Sequence, residues 1–400
     1  MKENITQNHF YLASIDILQG ISIIYFVTWH TMLWWDHSID SRWPNVLLPT
    51  YLFMTTAMCI PPLFFCLYGF NVANSLMRKR TEIERHDSRT RLLKRTVIFF
   101  VIAEFCEGIT ALVTNPGYLL NYLFTWELFH LFSLSTIFLL LVFEFAWKLE
   151  EQEGYNYRKI GGSVLIFFLI FIIAIFLIIH DYTSSTRIES MHVELALDSI
   201  LKRMLFEYGQ NPVIPWLSFP IIGGITAIFL NLTNEERSVA LKKTLLAFLG
   251  GFTPLILGIL FLGIERYISN PVYYPASSSF LFIAIGTVIL LTTSLILIID
   301  LNLKNSQIMI KIFKPLILIS KISLTVFIIH YGVYIIPPEF ILFTILISSE
   351  IAAMILGFLY SLTFVLIAFI WQKWHYMYSL EWTISKLQTT PWRWWLDRSV

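Results

Sequence analysis

The chain has 400 residues, of which 56% are hydrophobic and only 14% are charged, and its formal net charge is +1. Soluble domains average about 25% charged residues, so this composition excludes an ordinary soluble protein and indicates a polytopic α-helical membrane protein. The basic residues lie in short segments between apolar runs, a distribution that argues against a nucleic-acid-binding surface.

The first element is the segment Ser14–His37, which we predict to be a membrane-spanning helix with polar residues at both ends. No cleavable signal pattern precedes it, so we expect the helix to be retained. His30 lies about one and a half turns before Trp35, and tryptophan favours the membrane interface. A histidine inside the hydrocarbon layer costs free energy. It is either a functional group or a structural residue hydrogen-bonded between helices, and this segment alone does not decide between the two.

Further ionisable groups follow this helix at the same membrane face. Asp36, His37 and Asp40 come directly after the tryptophans. Histidines and carboxylates are the groups that general acid–base catalysis uses. We therefore predict an acid–base site at this face that includes His30, His37 and Asp36.

Ten apolar runs are long enough to cross a membrane, and we expect residues 1–400 to form one all-α integral-membrane domain. The predicted spans are Ile15–Trp35, Tyr51–Met77, Leu92–Thr114, Leu119–Phe145, Ile160–His180, Val213–Leu230, Leu241–Ile264, Ser277–Leu301, Ile312–Ile336 and Phe340–Trp371. When these spans alternate, most of the 28 Lys and Arg residues fall on one side. The positive-inside rule then places both termini and the tail 373–400 in the cytoplasm.

The segment 78–95 is the most basic part of the chain, and we predict a cytoplasmic loop there. One interpretation is an orientation signal that also contacts anionic lipid head groups, and we favour it. The other is a phosphate clamp for a nucleotide-bearing donor, formed by Arg78, Arg80 and Arg95, because guanidinium groups suit phosphates.

The segment 181–212 is predicted to be the longest outer loop. Residues 190–208 place apolar side chains on one face of a helix, which indicates an element lying flat at the interface. We slightly favour a plain connector over one wall of an outer cleft that would include His180, Asp181 and His192.

Several polar residues lie at similar depth below the outer boundary of different spans. They are His30, Glu107, Glu127 and His330. Glu104 shares a helix face with Glu107, and His130 is placed to pair with Glu127 because residues three apart are neighbours on a helix. Taken singly, such groups favour interhelical hydrogen bonds. Taken together, they favour a shared water-accessible site that could serve catalysis or transport.

Four stretches, in chain order, resemble the heparan-α-glucosaminide N-acetyltransferase-like family. The first span of that family opens with an LDxLRGxA element and ends in Asn or His, and here it corresponds to SIDILQGISIIYFVTWH. The PxFxFxxG core of its second span resembles PPLFFCLYGFNVANSL. Its PxxPWLGxxLLG element is similar to NPVIPWLSFPIIGG, and its late GxxSLxxYxxH span to ISKISLTVFIIHY. The closing SLEWTISKLQ is similar to the tail of a related bacterial membrane family.

The resemblance implies a multi-span helical bundle that transfers an acetyl group from cytoplasmic acetyl-CoA to an amino sugar on the outer or lumenal side. It also implies that a polar residue closing the first span and a histidine shortly beyond it are catalytic. Those positions correspond to His30 and His37. The family's arginine before glycine is Gln19 here, so a donor contact made by that arginine is not expected.

The sequence therefore predicts a multi-pass acyltransferase of the cell membrane that uses acyl-CoA and a saccharide acceptor. It would contact lipids, bind no nucleic acid and could assemble as a homodimer. Its catalytic group would be His30, His37 and Asp36, supported by Glu127, His330 and Glu107. No metal is expected, because the three cysteines show no CxxC or Cys/His ligand spacing. A proton-coupled transporter or flippase for a glycan or small anion is the alternative. An inverted internal repeat would favour this alternative, and the two halves of the sequence do not show one. A scaffold or sensor would leave His30 and His330 unexplained.

Overall fold

The computed structural model describes residues 12–35, 48–78, 81–114, 128–184, 213–230, 236–264, 278–301, 306–330 and 350–389. Every regular element within these ranges is helical, which confirms the predicted all-α class. Asp36, His37, Asp40, Arg80, Glu127, His192 and most of the outer loop 181–212 lie outside the described residues.

The helices follow the apolar runs of the sequence. In chain order they are α1 (Ala13–Trp35), α2 (Leu48–Ala57), α3 (Ile60–Met77), α4 (Glu82–Thr114), α5 (Leu128–Glu153), α6 (Tyr157–Ser184), α7 (Val213–Trp216), α8 (Ser218–Leu230), α9 (Arg237–Ile264), α10 (Ser278–Leu295), the π-helix Ile296–Leu301, α11 (Ser306–Ile312), α12 (Lys314–Ser320), α13 (Ser323–Ile329), α14 (Glu350–Gln372) and α15 (Leu380–Thr389).

Seven helical segments of the described chain are long and apolar enough to cross a membrane. Two of them, Tyr157–Ile178 and Arg237–Phe261, are mostly exposed. Only 22% and 17% of their 18-residue apolar stretches are buried within the protein. Their outward faces carry large apolar side chains that need a hydrocarbon environment. The chain is a membrane protein. The predicted number of ten spans and the orientation of the termini stay predictions.

Four predicted spans are not single α-helices within the described residues: the sixth is divided into α7 and α8, the eighth ends in the π-helix, and the second and ninth are divided as well. The second is divided into α2 and α3 by a turn at residues 58–59, directly before Pro61 and Pro62, which suit only the first turn of a helix. The ninth is divided into α11, α12 and α13. Pro315 has no N–H to donate to the preceding turn, so α11 ends and α12 begins there.

The basic segment 78–95, which we predict to be a cytoplasmic loop between two spans, is helical for most of its length. Helix α4 begins at Glu82 and runs through the segment. The backbone N–H of Glu84 donates to the Thr81 hydroxyl at 3.2 Å, and the N–H of Thr81 donates to the Glu84 carboxylate at 3.3 Å. This reciprocal capping box starts the helix. The tail 373–400 likewise contains a helix, α15.

The described helices divide into two compact units, the first drawn from the ranges Met1–Phe64, Leu230–Thr253 and Gly286–Thr383. Within it, α1 packs against α14, α12 and α13. A side chain on Gly20 would meet the main chain of Leu316 on α12, and one on Gly357 of α14 would lie 2.7 Å from the carbonyl oxygen of Thr28. Small residues at helix contacts let backbones approach closely in a membrane.

The second unit is drawn from the ranges Phe65–Phe229, Pro254–Ile285 and Ile384–Val400. Helix α5 packs between α4 and α6. Phe65 contacts Phe132 at 5.4 Å and Trp216 at 5.8 Å between ring centroids, which builds an aromatic core.

Candidate active site

Two histidines from opposite ends of the sequence meet in the first unit. His30 lies on α1, and His330 is the C-cap residue directly after α13. Nε2 of His330 is 3.3 Å from Nδ1 of His30. His330 is fully buried. The structure thus brings together two of the residues that the sequence placed at similar depth.

The hydrogen bonds of His330 determine which nitrogen of each ring carries a proton. Nδ1 of His330 lies 2.5 Å from the carbonyl oxygen of Phe327, which can only accept, so this nitrogen is the donor. In a neutral ring, Nε2 of His330 is then the acceptor and Nδ1 of His30 donates to it. Nε2 of His30 is therefore the nitrogen with the lone pair, which is the state that a general base requires.

Two phenylalanine rings hold this pair in place. Phe26 lies one turn before His30, with 4.1 Å between the ring centroids, and its ring is 4.9 Å from Phe327. Phe26 also contacts His330 edge-on at 5.2 Å. The rings restrict rotation of both imidazoles and lower the local dielectric, which strengthens the hydrogen bonds between them.

The other end of α1 carries a second set of polar contacts. Lys321 Nζ is 2.5 Å from the Asp16 carboxylate, and the Gln19 amide donates to the Ser323 hydroxyl at 2.7 Å. Asp16 precedes His30 by fourteen residues, or about 21 Å along a helix. One helix thus presents polar groups at two depths separated by much of a bilayer core.

Asp300 fastens the start of α1. Its carboxylate accepts the backbone N–H of Ala13 at 3.0 Å and also the hydroxyl of Ser14. These contacts satisfy donors that a helix N-terminus leaves unpaired. Asp300 lies on the π-helix, an irregularity that recurs at functional sites.

The second unit contains its own histidine–carboxylate pair. Nε2 of His130 on α5 is 3.0 Å from the Glu104 carboxylate on α4. The sequence had paired His130 with Glu127, which lies outside the described residues. Glu107 lies on α4, and His180 and Asp181 lie on α6; only their helical backbone is described.

Of the three predicted phosphate-clamp residues, Arg78 and Arg95 lie within the described residues and Arg80 lies outside them. Arg95 lies over the rings of Tyr68 and Phe99, 5.2 and 5.0 Å from the centroids. Arg78 follows α3 and is exposed. Other basic side chains of the segment contact acidic groups on α5: Arg85 pairs with Glu150 and Glu151 at 3.2 and 2.7 Å, and Arg89 pairs with Glu144 at 3.2 Å.

Sequence reasoning missed Ser323, Asp300 and Glu381, each of which fixes an element of the site by a hydrogen bond. Asp300 alone gave a signal, as a carboxylate at the end of an apolar run. Within the described ranges, no group of three His, Cys, Asp or Glu residues could hold a metal ion.

Comparison with known proteins assigns the family. A family model described as an acyltransferase domain matches residues 12–372. Searches of curated proteins and of solved structures found no significant match. The matched region contains α1, α13 and both histidines.

Proposed function

Because the chain belongs to the acyltransferase-domain family, we propose that it transfers an acyl group, most simply acetyl, from cytoplasmic acyl-CoA to a saccharide or amino sugar across the membrane. The residues that match the heparan-α-glucosaminide N-acetyltransferase-like pattern support this choice of donor and acceptor. The protein would act as a multi-pass protein of the cell membrane. His37 and Asp36 would complete the site from outside the described residues.

The observation that carries the proposal is the hydrogen-bonded order from the Phe327 carbonyl through His330 to His30. In this order, Nε2 of His30 removes a proton from the amine or hydroxyl of the acceptor. The acceptor atom attacks the thioester carbonyl carbon, a C–N or C–O bond forms, and the C–S bond breaks. The proton held by His30 passes to the departing thiolate, so that the products are the acylated sugar and CoA.

The hydrogen-bond chain also supports the charged intermediate. Once His30 has taken a proton, its Nδ1–H continues to donate to His330, which in turn donates to the Phe327 carbonyl. Hydrogen bonds of this kind polarise one another in a low dielectric. In a catalytic triad, a hydrogen bond from the base to a second group likewise orients the base and stabilises its imidazolium form.

The two polar ends of α1 support transfer across the membrane. The site near Asp16 and Gln19 and the site at His30 are about 21 Å apart along the helix, against a hydrocarbon core of about 30 Å. If the N-terminus is cytoplasmic, the donor enters at the first end and the acceptor binds near His30.

The proposal is tested in sealed inside-out vesicles that contain the protein. Acetyl-labelled acetyl-CoA is supplied outside and glucosamine-type acceptors inside, and wild type is compared with His30→Ala and His37→Ala. His86→Ala is the matched control, because His86 is an exposed histidine on α4. We expect the wild type to place label on the enclosed sugar. His30→Ala should abolish this labelling, and His86→Ala should retain it. If no acyl-CoA is consumed and no acceptor is labelled, the proposal is overturned and a transporter is favoured.

A further inference from the structure

Helix α13, which carries His330, is too short to hold itself in place. It contains seven residues, and turns separate it from α12. Its N-cap residue is Ile322, which makes no side-chain capping hydrogen bond. A helix start of this kind leaves backbone N–H groups without partners, so its position must be set by groups from elsewhere in the chain.

Glu381 supplies the missing cap from the tail helix α15. Its Oε1 accepts the backbone N–H of Leu324 at 2.5 Å and that of Thr325 at 3.2 Å. Its Oε2 accepts the Thr325 hydroxyl at 2.5 Å. These are the second and third residues of α13, the positions that an N-cap side chain normally serves.

The two helix starts cap each other. While Glu381 caps α13, the hydroxyl of Thr325 accepts the backbone N–H of Leu380, the first residue of α15, at 2.7 Å. The relative placement of the two helices is therefore determined from both sides.

The chain before α15 adopts an unfavourable backbone to reach this position. His375, Tyr376 and Tyr378 have φ values of 50°, 55° and 67°. Residues other than glycine adopt this left-handed region rarely, and such strain persists only where the surrounding structure holds it. The Trp371 indole donates to the Met377 carbonyl at 2.8 Å and supports the turn.

We propose that Glu381 is a positioning residue, which holds α13 so that His330 stays in register with His30. The inference rests on the proposed function, because it assigns Glu381 a role in the same site. His330 lies only five positions after Thr325, about 7.5 Å along a helix. A helix of two turns transmits a shift at its start to its end, and the 3.3 Å contact between the histidines depends on where that end lies.

The kinetic test compares Glu381→Ala with Glu381→Gln, which keeps an acceptor oxygen for the two N–H groups. Glu82→Ala is the matched control, an exposed carboxylate in the first turn of α4. With acetyl-CoA and a glucosamine-type acceptor, Glu381→Ala should lower kcat about tenfold with little change in KM. Glu381→Gln should fall between the wild type and Glu381→Ala, and Glu82→Ala should match the wild type.

A double-mutant cycle shows whether Glu381 acts through His330. In a His330→Ala background, Glu381→Ala should cause no further loss of kcat. The same fold loss in both backgrounds would overturn the proposal. If Glu381→Ala does not fold, Thr325→Val removes the hydroxyl that Glu381 and Leu380 share, and it should give a smaller loss of the same kind.

A second readout does not need activity. In protein labelled at the histidine ring nitrogens, the NMR signals assigned to His330 by comparison with His330→Ala report the donor at Nδ1 and the acceptor at Nε2. Glu381→Ala should shift them, and Glu82→Ala should not. If the wild type transfers no acyl group but the shift occurs, the proposed function fails while the positioning role stands. Unchanged His330 signals in folded Glu381→Ala would overturn the positioning role.

Discussion

The side-chain amide of Gln19 donates a 2.7 Å hydrogen bond to the hydroxyl of Ser323, which joins the first described helix to the start of α13. Asp16 contacts Lys321 just before it, and His30 contacts His330 at the far end of α13. Three polar contacts thus fasten residues 321–330 of the divided ninth segment to α1. A segment divided into short helices requires such contacts, because it lacks the stiffness of a continuous span.

Replacing Gln19 with alanine should destabilise the protein. Ser323 is only 1% exposed, and a buried hydroxyl that loses its partner costs about 1–3 kcal/mol. Denaturant or thermal unfolding in detergent measures the change. Gln372→Ala, at the exposed end of α14, is the control and should unfold as the wild type does. Equal stability of Gln19→Ala and Gln372→Ala would contradict the prediction.

Two substitutions of His330 should separate its two hydrogen bonds. Asparagine can donate to the Phe327 carbonyl as Nδ1 does but does not reach His30, whereas glutamine places its amide oxygen near the position of Nε2, where it can accept from His30. We expect His330→Asn to lower kcat about a hundredfold and His330→Gln to lower it less. Steady-state acyl transfer measures both. Equal losses would show that the contact with His30 does not assist the reaction.

The sequence predicts the helices, and it predicts that His30 and His330 lie at similar depth in the membrane. Apolar runs of sufficient length indicate membrane-spanning helices, and a histidine buried in such a run needs a polar partner. His30 and His330 meet this description, and they lie 3.3 Å apart.

Residues whose partners are backbone groups of other elements could not be predicted in the same way. Glu381 lies in a polar tail, where a carboxylate is unremarkable, and its role depends on the break that leaves Leu324 and Thr325 without a cap. The pairing of His130 with Glu104 depends on how α4 and α5 pack. By contrast, the capping box of Thr81 and Glu84 is visible in the sequence as a T-x-x-E pattern. It shows why the basic segment is helical.

The Glu104–His130 pair should contribute to stability as a coupled unit. Interhelical hydrogen bonds in membrane proteins contribute about 0.6 kcal/mol on average and up to about 1.7 kcal/mol in double-mutant cycles. We expect a coupling near the upper value, because His130 is only 4% exposed and its partner is a carboxylate. Unfolding of Glu104→Ala, His130→Ala and the double variant measures it. The same cycle with His86→Ala should give no coupling, and a Glu104–His130 coupling of zero would contradict the expectation.

Glu381 should make stability depend on pH. Burial raises the pKa of this carboxyl, although its hydrogen bonds with Thr325 and Leu324 act in the opposite direction. Below the unfolded value of about 4.3, both states are protonated and the group has no effect on stability. As the pH rises, the unfolded state ionises first, so the free energy of unfolding decreases until the folded carboxyl has also ionised.

Glu381→Gln removes this titration. Relative to Glu381→Gln, the wild type should therefore lose stability as the pH rises from 4 towards the raised pKa and then show no further difference. Thermal unfolding of both proteins across this range, in the same detergent, measures it. Parallel stability curves for the two proteins would show that the pKa of Glu381 is not raised.

Gly20 and Gly250 provide a matched pair for the packing of α1. A methyl group at Gly20 would meet the main chain of Leu316 on α12, which cannot yield without a shift of that helix, whereas nothing lies within 4 Å of a methyl group at Gly250 on α9. Gly20→Ala should therefore destabilise the protein by about 1–3 kcal/mol. Gly250→Ala should stabilise it by up to about 1 kcal/mol, because alanine favours a helix more than glycine does. Unfolding of both variants in detergent measures the difference. A shift of α12 would also displace α13, so Gly20→Ala should lower kcat while Gly250→Ala leaves it unchanged. Full activity in a destabilised Gly20→Ala would show that α12 moves without disturbing the histidine pair.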